Sequence, residues 1–354
     1  MARYKKNQDI TQGMPGLFDD LESSLFPEVE PLPRVPEIDR DALKIARRSA
    51  PVPPKDLFGS DDTFSPLEDV APIDRLNFIS FGSGSSGNCA YIGDGESGFL
   101  IDAGVDCHKV ELELKRNGID MKSVKGIVLT HDHSDHVHYA YALVRGNRHM
   151  HVYCTPRALN GLLRRHSISN RIKDYHVPIY KEHPFKIGNF TVLAFEVSHD
   201  GTDNSGFYIT HGRHTLTVAT DLGCVTERVD HYMRLANYIM IEANYDERML
   251  AAGPYPEYLK ARIRSDSGHL DNKVTAAYLA EIYSERLRNI FLCHLSKDNN
   301  NPETALKTIE DALLATGIPS VGDGSGTPYA RMAPVQLMAL PRFDSTGLIT
   351  LRLS

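Results

Sequence analysis

Four side chains of the types that bind metal ions lie within six residues of this sequence: His131, His133, Asp135 and His136. The apolar, β-branched run at 125–130 (KGIVLT) predicts a buried strand, so these residues follow a strand end. Two histidines two positions apart on extended backbone point the same way and can bind one ion. Apolar residues from position 137 onward predict a helix there, so Asp135 and His136 can face a second ion.

Three further candidate ligands lie where apolar strand runs end: His199, Asp221 and His294. Taken singly, each has an ordinary interpretation as a surface or core residue. Taken together with the first four, they supply nitrogen and oxygen ligands and no thiolate, enough for two ions that share one carboxylate. Because imidazole and carboxylate suit Zn, Mn and Fe, we predict two divalent metal ions, Zn or Mn, with Fe also compatible.

The elements that must position these ligands begin at Leu76. Short strands separated by Gly, Ser, Asn and Asp predict an antiparallel meander at 76–82, 89–93 and 98–104. The remaining pattern predicts helices and strands in alternation: helices at 106–118, 156–166, 275–287 and 302–317, hairpins at 185–200 and 206–223, and strands at 150–155, 238–244, 289–296, 335–342 and 347–353. Strands dominate each half, which predicts an α/β fold of two packed sheets with helices outside.

The loop between the first two strands (GSGSSGN, 82–88) formally satisfies a GxGxxG pattern. A dinucleotide site is excluded because the loop leads into a strand, whereas that motif must open a helix. Its polar side chains and glycine amides are candidate phosphate or substrate contacts, with a plain tight turn as the alternative. The candidate side chains are Ser83, Ser85, Ser86 and Asn88.

Composition bounds the class of protein. The 354 residues carry a net charge of −7 and include no apolar run long enough to span a membrane. The acidic balance excludes a protein that coats nucleic acid, although a local basic surface is compatible with it. Five cysteines without CxxC spacing and a start without an apolar signal segment predict a cytoplasmic location. The oligomeric state does not follow from the sequence.

Residues 1–75 differ from the rest of the chain. They hold ten of the 20 prolines and fifteen acidic against ten basic residues, which predicts a low-complexity, largely disordered extension. Within it, residues 16–26 (GLFDDLESSLF) place apolar residues at helical spacing among acids and form a candidate partner-binding helix. A segment that packs on its own domain and a solvated tail are the alternatives.

Several motifs of this sequence occur in one known order: HDHSDH, then SHD, ATD and CHLS. They resemble the metal motifs of the metallo-β-lactamase superfamily, and the resemblance implies a four-layer αββα sandwich over residues 76–354. Asp102 in IDAG would be a buried acid that orients the ligands. SGSSGN, IEAN, SGHL and CHLSKDNN resemble the YycJ/WalJ branch in particular, which implies 5′ to 3′ exonuclease activity on double-stranded DNA in the cytosol.

The resemblance also implies roles. One ion would be held by His131, His133 and His199, and the other by Asp135, His136 and His294, with Asp221 between them. Two ions that share a water lower its pKa, which predicts a metal-bound hydroxide as the nucleophile. The carboxylate of Asp135 suits the second site to a phosphodiester oxygen.

Glu242 and His269 resemble the glutamate and histidine of RNase Z, which implies contact with the scissile phosphate and a proton for the leaving group. With Asp135 they are the candidate catalytic residues, and Asn244 is a candidate substrate contact. The alternatives are a buried acid that pairs with an arginine and a histidine that merely precedes a helix.

The sequence thus predicts a binuclear phosphodiesterase acting on nucleic acid, most specifically a DNA exonuclease. The basic stretches at 157–173 and 260–264 would line a phosphate-binding groove or else form solvated helix faces. The alternative function is hydrolysis of a thioester or lactone at the same metal centre.

Overall fold

The structure, a computed structural model, describes residues 75–353. The extension predicted at 1–75, apart from its last residue, and the candidate partner-binding segment at 16–26 lie outside the described residues. No helix within 75–353 combines the length and the apolar character that crossing a bilayer requires.

Fifteen strands, numbered along the described chain, form two sheets. The seven-stranded sheet has the order β15-β1-β2-β3-β4-β5-β6, with β1 Arg75–Gly82, β2 Cys89–Gly93, β3 Gly98–Ile101, β4 Val124–Val128, β5 His151–Cys154, β6 His176–Pro178 and β15 Ile349–Arg352. The eight-stranded sheet has the order β13-β14-β12-β11-β10-β9-β8-β7, with β7 Phe185–Ile187, β8 Phe190–Glu196, β9 Ser205–His211, β10 His214–Ala219, β11 Tyr238–Glu242, β12 Asn289–Cys293, β13 Val321–Gly322 and β14 Val335–Ala339.

Ten α-helices accompany the sheets in the described part of the chain. They are α1 Cys107–Arg116, α2 Ser134–Val137, α3 Ala140–Gly146, α4 Pro156–Arg165, α5 Glu227–Arg234, α6 Glu247–Ala252, α7 Glu257–Ile263, α8 Asn272–Ile282, α9 Pro302–Ala315 and α10 Pro328–Met332. The longer ones begin as their sequences predict. Asp106 caps α1, and α4 and α9 start with proline after a capping Thr155 and Asn301.

The two sheets pack face to face through large apolar side chains. The Phe78 ring of β1 stacks on Phe291 of β12 with centroids 4.4 Å apart, and Phe99 of β3 meets the Phe190 edge at 5.4 Å. Separate apolar clusters lie on the outer face of each sheet, under α1, α3 and α4 on one side and under α5, α8 and α9 on the other. This is the predicted αββα sandwich, and the fold prediction is confirmed.

Strand direction brings the polar motifs to one edge of the sandwich. The meander β1–β3 is antiparallel as predicted, whereas β3, β4 and β5 run parallel. In the other sheet β10, β11 and β12 also run parallel. Because the carboxyl ends of parallel strands meet at one edge, the residues that follow these strands converge there.

Two features differ from the sequence expectation. The segment between β11 and α8 folds into α6 and α7, although the sequence pattern predicts no element there. These helices are short and separated by glycine and prolines, so neither shows a sustained apolar period. The two strands predicted in succession at 335–342 and 347–353 do not pair with each other. Instead, β14 pairs with β12 in one sheet and β15 with β1 in the other.

Candidate metal centre

The HDHSDH motif lies where β4 ends and α2 begins. His133 has extended backbone and stands immediately before the helix, whereas the chain bends at Thr130 and Asp132 on either side of His131. Asp135 and His136 lie in the first turn of α2. His131 and His136 are buried, and Asp135 is partly exposed. The strand end and the helix that follows it agree with the prediction, while the segment between them is bent rather than regularly extended.

Three imidazoles form a first cluster. His131, His133 and His199 offer nitrogens that all lie within 4.8 Å of one another. The Nε2 atom of His199, which follows β8, lies 3.3 Å from Nδ1 of His133. Ligand atoms this close together can surround one ion.

A second cluster combines a carboxylate with two imidazoles. Asp135, His136 and His294 also place one ligand atom each within 4.8 Å of one another. Asp135 Oδ2 lies 3.5 Å from His136 Nε2 and 3.4 Å from His294 Nε2. His294 directly follows β12, so the second cluster draws on both sheets.

The Asp221 carboxylate lies between the two clusters. Its Oδ2 atom is 3.2 Å from His136 Nε2, and its Oδ1 atom is 3.3 Å from His294 Nδ1 and 3.7 Å from His199 Nε2. The structure therefore brings all seven candidate ligands together, with Asp221 in contact with members of both clusters.

Unsatisfied polar atoms and pKa shifts at the centre fit divalent cations. His131 Nε2, Asp221 Oδ2 and His294 Nε2 are buried and make no hydrogen bond, which is costly unless a cation contacts them. Burial lowers the pKa of His131 well below 6.5, so this imidazole is neutral and able to bind a metal. Burial raises the pKa of Asp221, but the imidazoles of His294 and His136 outweigh it and keep the carboxylate ionised. The His/Asp clusters can thus hold divalent metal ions.

The pKa of His136 shifts in the opposite direction to that of His131. Burial lowers its pKa, but the carboxylates of Asp221, Asp102 and Asp135 outweigh burial and raise the pKa well above 6.5. A cation placed among these groups satisfies the same carboxylates and displaces the proton. The carboxylates therefore favour positive charge at this position, whether it comes from a proton or from a metal.

Asp102 supports the ligands from behind. Its carboxylate accepts hydrogen bonds from the backbone and hydroxyl of Thr130, and its Oδ2 atom lies 2.7 Å from His136 Nδ1. The Thr130 hydroxyl in turn lies 3.0 Å from His131 Nδ1. These contacts hold two imidazoles in orientation, and the role of Asp102 as a support for metal ligands stays a prediction.

Glu242 links the metal ligands to a histidine outside the two clusters. Its Oε1 atom lies 2.7 Å from His269 Nδ1 and 2.9 Å from His294 Nδ1, and Oε2 accepts hydrogen bonds from the amides of Leu222 and Leu270. Glu242 is 0% exposed, so it orients the two histidines and does not face the solvent. Its partners are histidines and amides rather than the arginine of the alternative interpretation.

His269 lines an open cleft beside the clusters. The cleft has a volume of about 200 Å³ and is also lined by Ser85, Asn244 and His294. Burial lowers the pKa of His269, but the Glu242 carboxylate outweighs this and raises it above 6.5. A cleft-facing imidazole with a raised pKa can donate a proton near neutral pH.

The candidate substrate contacts separate into two groups. Ser85 and Ser86 are exposed, and Ser85 lines the cleft. Ser83 and Asn88 are buried: the Ser83 hydroxyl accepts a hydrogen bond from the His294 amide, and the Asn88 side chain lies 2.9 Å from His136 Nε2. These two residues therefore contact the candidate ligands themselves.

Asn244 both contacts a candidate ligand and lines the cleft. Its side-chain amide donates to Glu242 Oε1 at 3.2 Å and to the backbone oxygen of His294 at 2.8 Å, while the residue also lines the cleft.

Only part of the basic stretch at 157–173 pairs with buried acidic residues of the protein. Arg165 lies 3.4 Å from the buried Asp132, whereas Arg171 pairs only with the exposed Asp174.

Asp200 is a site residue that the sequence reasoning missed. Its Oδ1 atom lies 3.3 Å from His133 Nε2 and 3.4 Å from His199 Nε2, and Oδ2 pairs with Arg262. The available signal was its place directly after His199 in the SHD motif, since a carboxylate adjacent to a ligand lies at the same strand end.

Known proteins are similar to this chain in sequence and in fold. The family model of the Beta-lactamase superfamily domain matches residues 98–291. The protein named exodeoxyribonuclease YycJ of Bacillus anthracis is 33% identical over 242 residues, which cover 68% of this chain and 90% of that protein. Exodeoxyribonuclease WalJ of Streptococcus pneumoniae is 31% identical over 232 residues, which cover 65% of this chain and 86% of WalJ.

Solved structures agree on the architecture. The metallo-β-lactamase fold protein YhfI from Bacillus subtilis superposes with a TM-score of 0.52 at 14% identity, over 68% of this chain and 93% of YhfI. At that identity the likeness concerns the fold alone. Together with the match to the family model and the identity to YycJ and WalJ, it confirms the resemblance drawn from the motifs: the chain belongs to the β-lactamase superfamily, in the group of YycJ and WalJ.

Proposed function

We propose that this protein is a two-metal DNA exonuclease. The family assignment makes it a hydrolase of the metal-dependent nuclease and phosphodiesterase type, as predicted. The observation that carries the finer proposal is the Glu242 carboxylate, which contacts His294 at 2.9 Å and the cleft-facing His269 at 2.7 Å. A group that can protonate a leaving oxygen is thus tied to the candidate metal centre by one carboxylate.

Two divalent ions, Zn or Mn and with Fe also compatible, would occupy the clusters. The first would be held by His131, His133 and His199, the second by Asp135, His136 and His294, and Asp221 would contact both. When bound, such ions activate a water and neutralise the charge on a phosphodiester. Asp102 and Glu242 keep the imidazoles in orientation, and the ionised Asp135 gives the second cluster the oxygen donor that suits a hard ion.

His269 supplies the proton in this proposal. Its Nδ1 atom is held by Glu242, so the Nε2 side of the ring is left for a leaving-group oxygen in the cleft. The 21% exposure of its side chain fits a group that reaches substrate, in contrast to the buried Glu242. Glu242 therefore acts by holding His269 and His294 rather than by touching the phosphate.

The 5′ to 3′ polarity and the double-stranded DNA substrate are part of the proposal and are supported by the resemblance to the YycJ/WalJ branch. Between Asp221 and His294 the chain forms β11, β12 and the helices α5–α8 rather than a large cap, which leaves the cleft open to a strand end. All five cysteines are free, which suits a reducing compartment, and we assign the activity to the cytoplasm.

The first test removes the shared carboxylate. Asp221→Ala should lower DNA hydrolysis by on the order of 10³-fold, because both ions lose a ligand. End-labelled single- and double-stranded DNA and RNA, digested with Zn or with Mn, would measure rate and polarity, and elemental analysis would measure bound metal. Asp311→Ala is the matched control, since this exposed carboxylate pairs only with Lys307 on α9. Undiminished cleavage by the Asp221 variant would exclude the proposed centre.

The second test separates a nuclease from the thioester or lactone hydrolase that the sequence left open. His269→Ala should lower phosphodiester hydrolysis by about 10²–10⁴-fold while the two ions stay bound, because His269 is not among the seven residues proposed to hold them. Its ring does lie with Asp221, Glu242 and His294 in a further group close enough to hold an ion, so the metal content is measured alongside the rate. Glu242→Gln should lower hydrolysis and metal content together, since Glu242 also holds His294. Full activity of both variants on DNA, or hydrolysis of acyl substrates only, would contradict the proposal.

A further inference from the structure

Three basic residues near the end of α7 have different surroundings. Lys260 is buried and donates to the Ala251 carbonyl at 2.8 Å. Arg264 pairs with Glu247 through two of its nitrogens, away from the residues that line the cleft. Arg262 alone of the three lines the cleft beside the candidate metal centre. Of the basic stretch at 260–264, only Arg262 therefore places a positive charge at the cleft.

The Arg262 guanidinium is fixed in place by a carboxylate. Its Nε and Nη2 atoms donate to Oδ2 of Asp200 at 2.8 and 2.5 Å. A guanidinium has five N–H donors, and within residues 75–353 these two are the only ones that make a hydrogen bond. The side chain is 62% exposed and lines the cleft, so its remaining donors are accessible to a ligand.

The same carboxylate reaches the first histidine cluster. The other oxygen of Asp200, Oδ1, is buried without a hydrogen bond and lies 3.3 Å from His133 Nε2 and 3.4 Å from His199 Nε2. One carboxylate group therefore separates the guanidinium from the histidines that would hold an ion. A phosphodiester bound at that ion would lie beside the cleft that Arg262 lines.

Charge supplies the reason for a cation here. The two ions would neutralise the scissile phosphate, whereas a phosphate beside it would lie next to the Asp200 carboxylate and needs a cation of the protein. Among the cleft-lining side chains, Arg262 is the only lysine or arginine. An exposed ion pair stabilises the fold little, so the Asp200 contact matters more for where it holds the guanidinium than for stability.

We propose that Arg262, positioned by Asp200, is a substrate-binding residue that contacts a phosphate oxygen of the DNA strand beside the scissile position. The inference rests on the proposed nuclease function and adds a substrate-binding residue to it. Arginine suits this task better than lysine because its planar fork binds phosphate through two parallel hydrogen bonds.

The test compares Arg262→Gln with Arg264→Gln in the full, metal-loaded chain. Arg262→Gln should raise KM for DNA about tenfold with little change in kcat, because a binding contact is lost. The metal content should equal that of the unchanged chain, and Arg262→Lys should restore part of the affinity. Arg264→Gln should leave KM unchanged.

A binding measurement gives an independent result. In chains that also carry His269→Ala, fluorescence anisotropy of labelled DNA should show that Arg262→Gln lowers the slope of log affinity against log salt by about 1. Equal KM values and equal salt slopes for the Arg262 and Arg264 variants would overturn the inference and leave the nuclease proposal standing. Loss of metal from Arg262→Gln would also overturn it, by showing that Arg262 acts through the ligands. Absence of DNA cleavage by the unchanged chain would overturn the proposed function itself, and this inference with it.

Discussion

Two residues at the centre hold an uncommon backbone conformation. Asp102 and His294 have positive φ angles, 61° and 53°, at the ends of β3 and β12. Non-glycine residues pay a conformational cost there, and such strain is kept where surrounding contacts impose it. The contacts are present: Asp102 is held by Thr130, and the His294 amide donates to Ser83. Both side chains lie at the candidate metal centre, Asp102 against His136 and His294 against Asp135.

Asp102→Asn removes the negative charge of the Asp102 side chain and keeps its size. Asparagine tolerates a positive φ and can still accept the Thr130 hydrogen bond, but it presents no negative charge to His136. We expect divalent-metal affinity to fall by about 10–100-fold, because removing such a partner weakens a ligating histidine. Competition with a chelator would measure it, with Asp311→Asn as the exposed control. Equal affinities would show that Asp102 serves the fold alone.

At the scale of elements, three loops meet behind the second cluster. The Asn88 amide donates to the Asp135 carbonyl at 2.7 Å, the Gly104 amide to the Asn88 carbonyl at 2.8 Å, and the Ala103 amide to the His136 carbonyl at 2.7 Å. The loops after β1 and β3 thereby fix the first turn of α2. Gly104 lies where they are closest, since a Cβ atom built there would overlap the carbonyl of Asp135.

Gly104→Ala should therefore disturb both stability and the centre. The overlap is with backbone that two other loops hold in place, so we expect a loss of about 1–3 kcal/mol in unfolding free energy, or more, together with weaker metal binding. Gly146→Ala is the matched control, because no atom lies within 4 Å of its Cβ position at the end of α3. That change should be neutral or stabilise by up to about 1 kcal/mol. Urea unfolding and metal titration of both variants would measure the difference.

At the scale of the whole molecule, the sequence predicts what local patterns determine. The β1–β3 meander, the strand that ends at HDHSDH and the capped helices α1, α4 and α9 all follow from apolar period, turn residues and caps. The candidate ligands follow as well, because each stands at the end of an apolar run. These features depend on residues close together in the chain.

What the sequence could not predict depends on residues far apart. The contact between Asp200 and Arg262 joins β8 to the unexpected helix α7, and Glu242 meets His269 only because β11 lies against the start of α8. Ser83 and Asn88 are buried whereas Ser85 and Ser86 are exposed, although all four lie in one polar loop. Periodicity carries no information about such partners, since the tertiary fold alone brings them together.

The pairing of β1 with β15 affects how the chain can fold during synthesis. Arg75 lies opposite Arg352 and Leu76 opposite Leu351, so one edge of β1 pairs with β2 and the other edge pairs only with the last described strand. A ribosome releases all seven candidate ligands well before it releases β15, while one edge of β1 stays open. An open strand edge pairs readily with strands of other chains. We therefore expect the nascent protein to carry an open strand edge, which favours aggregation, from the start of domain synthesis until almost its end.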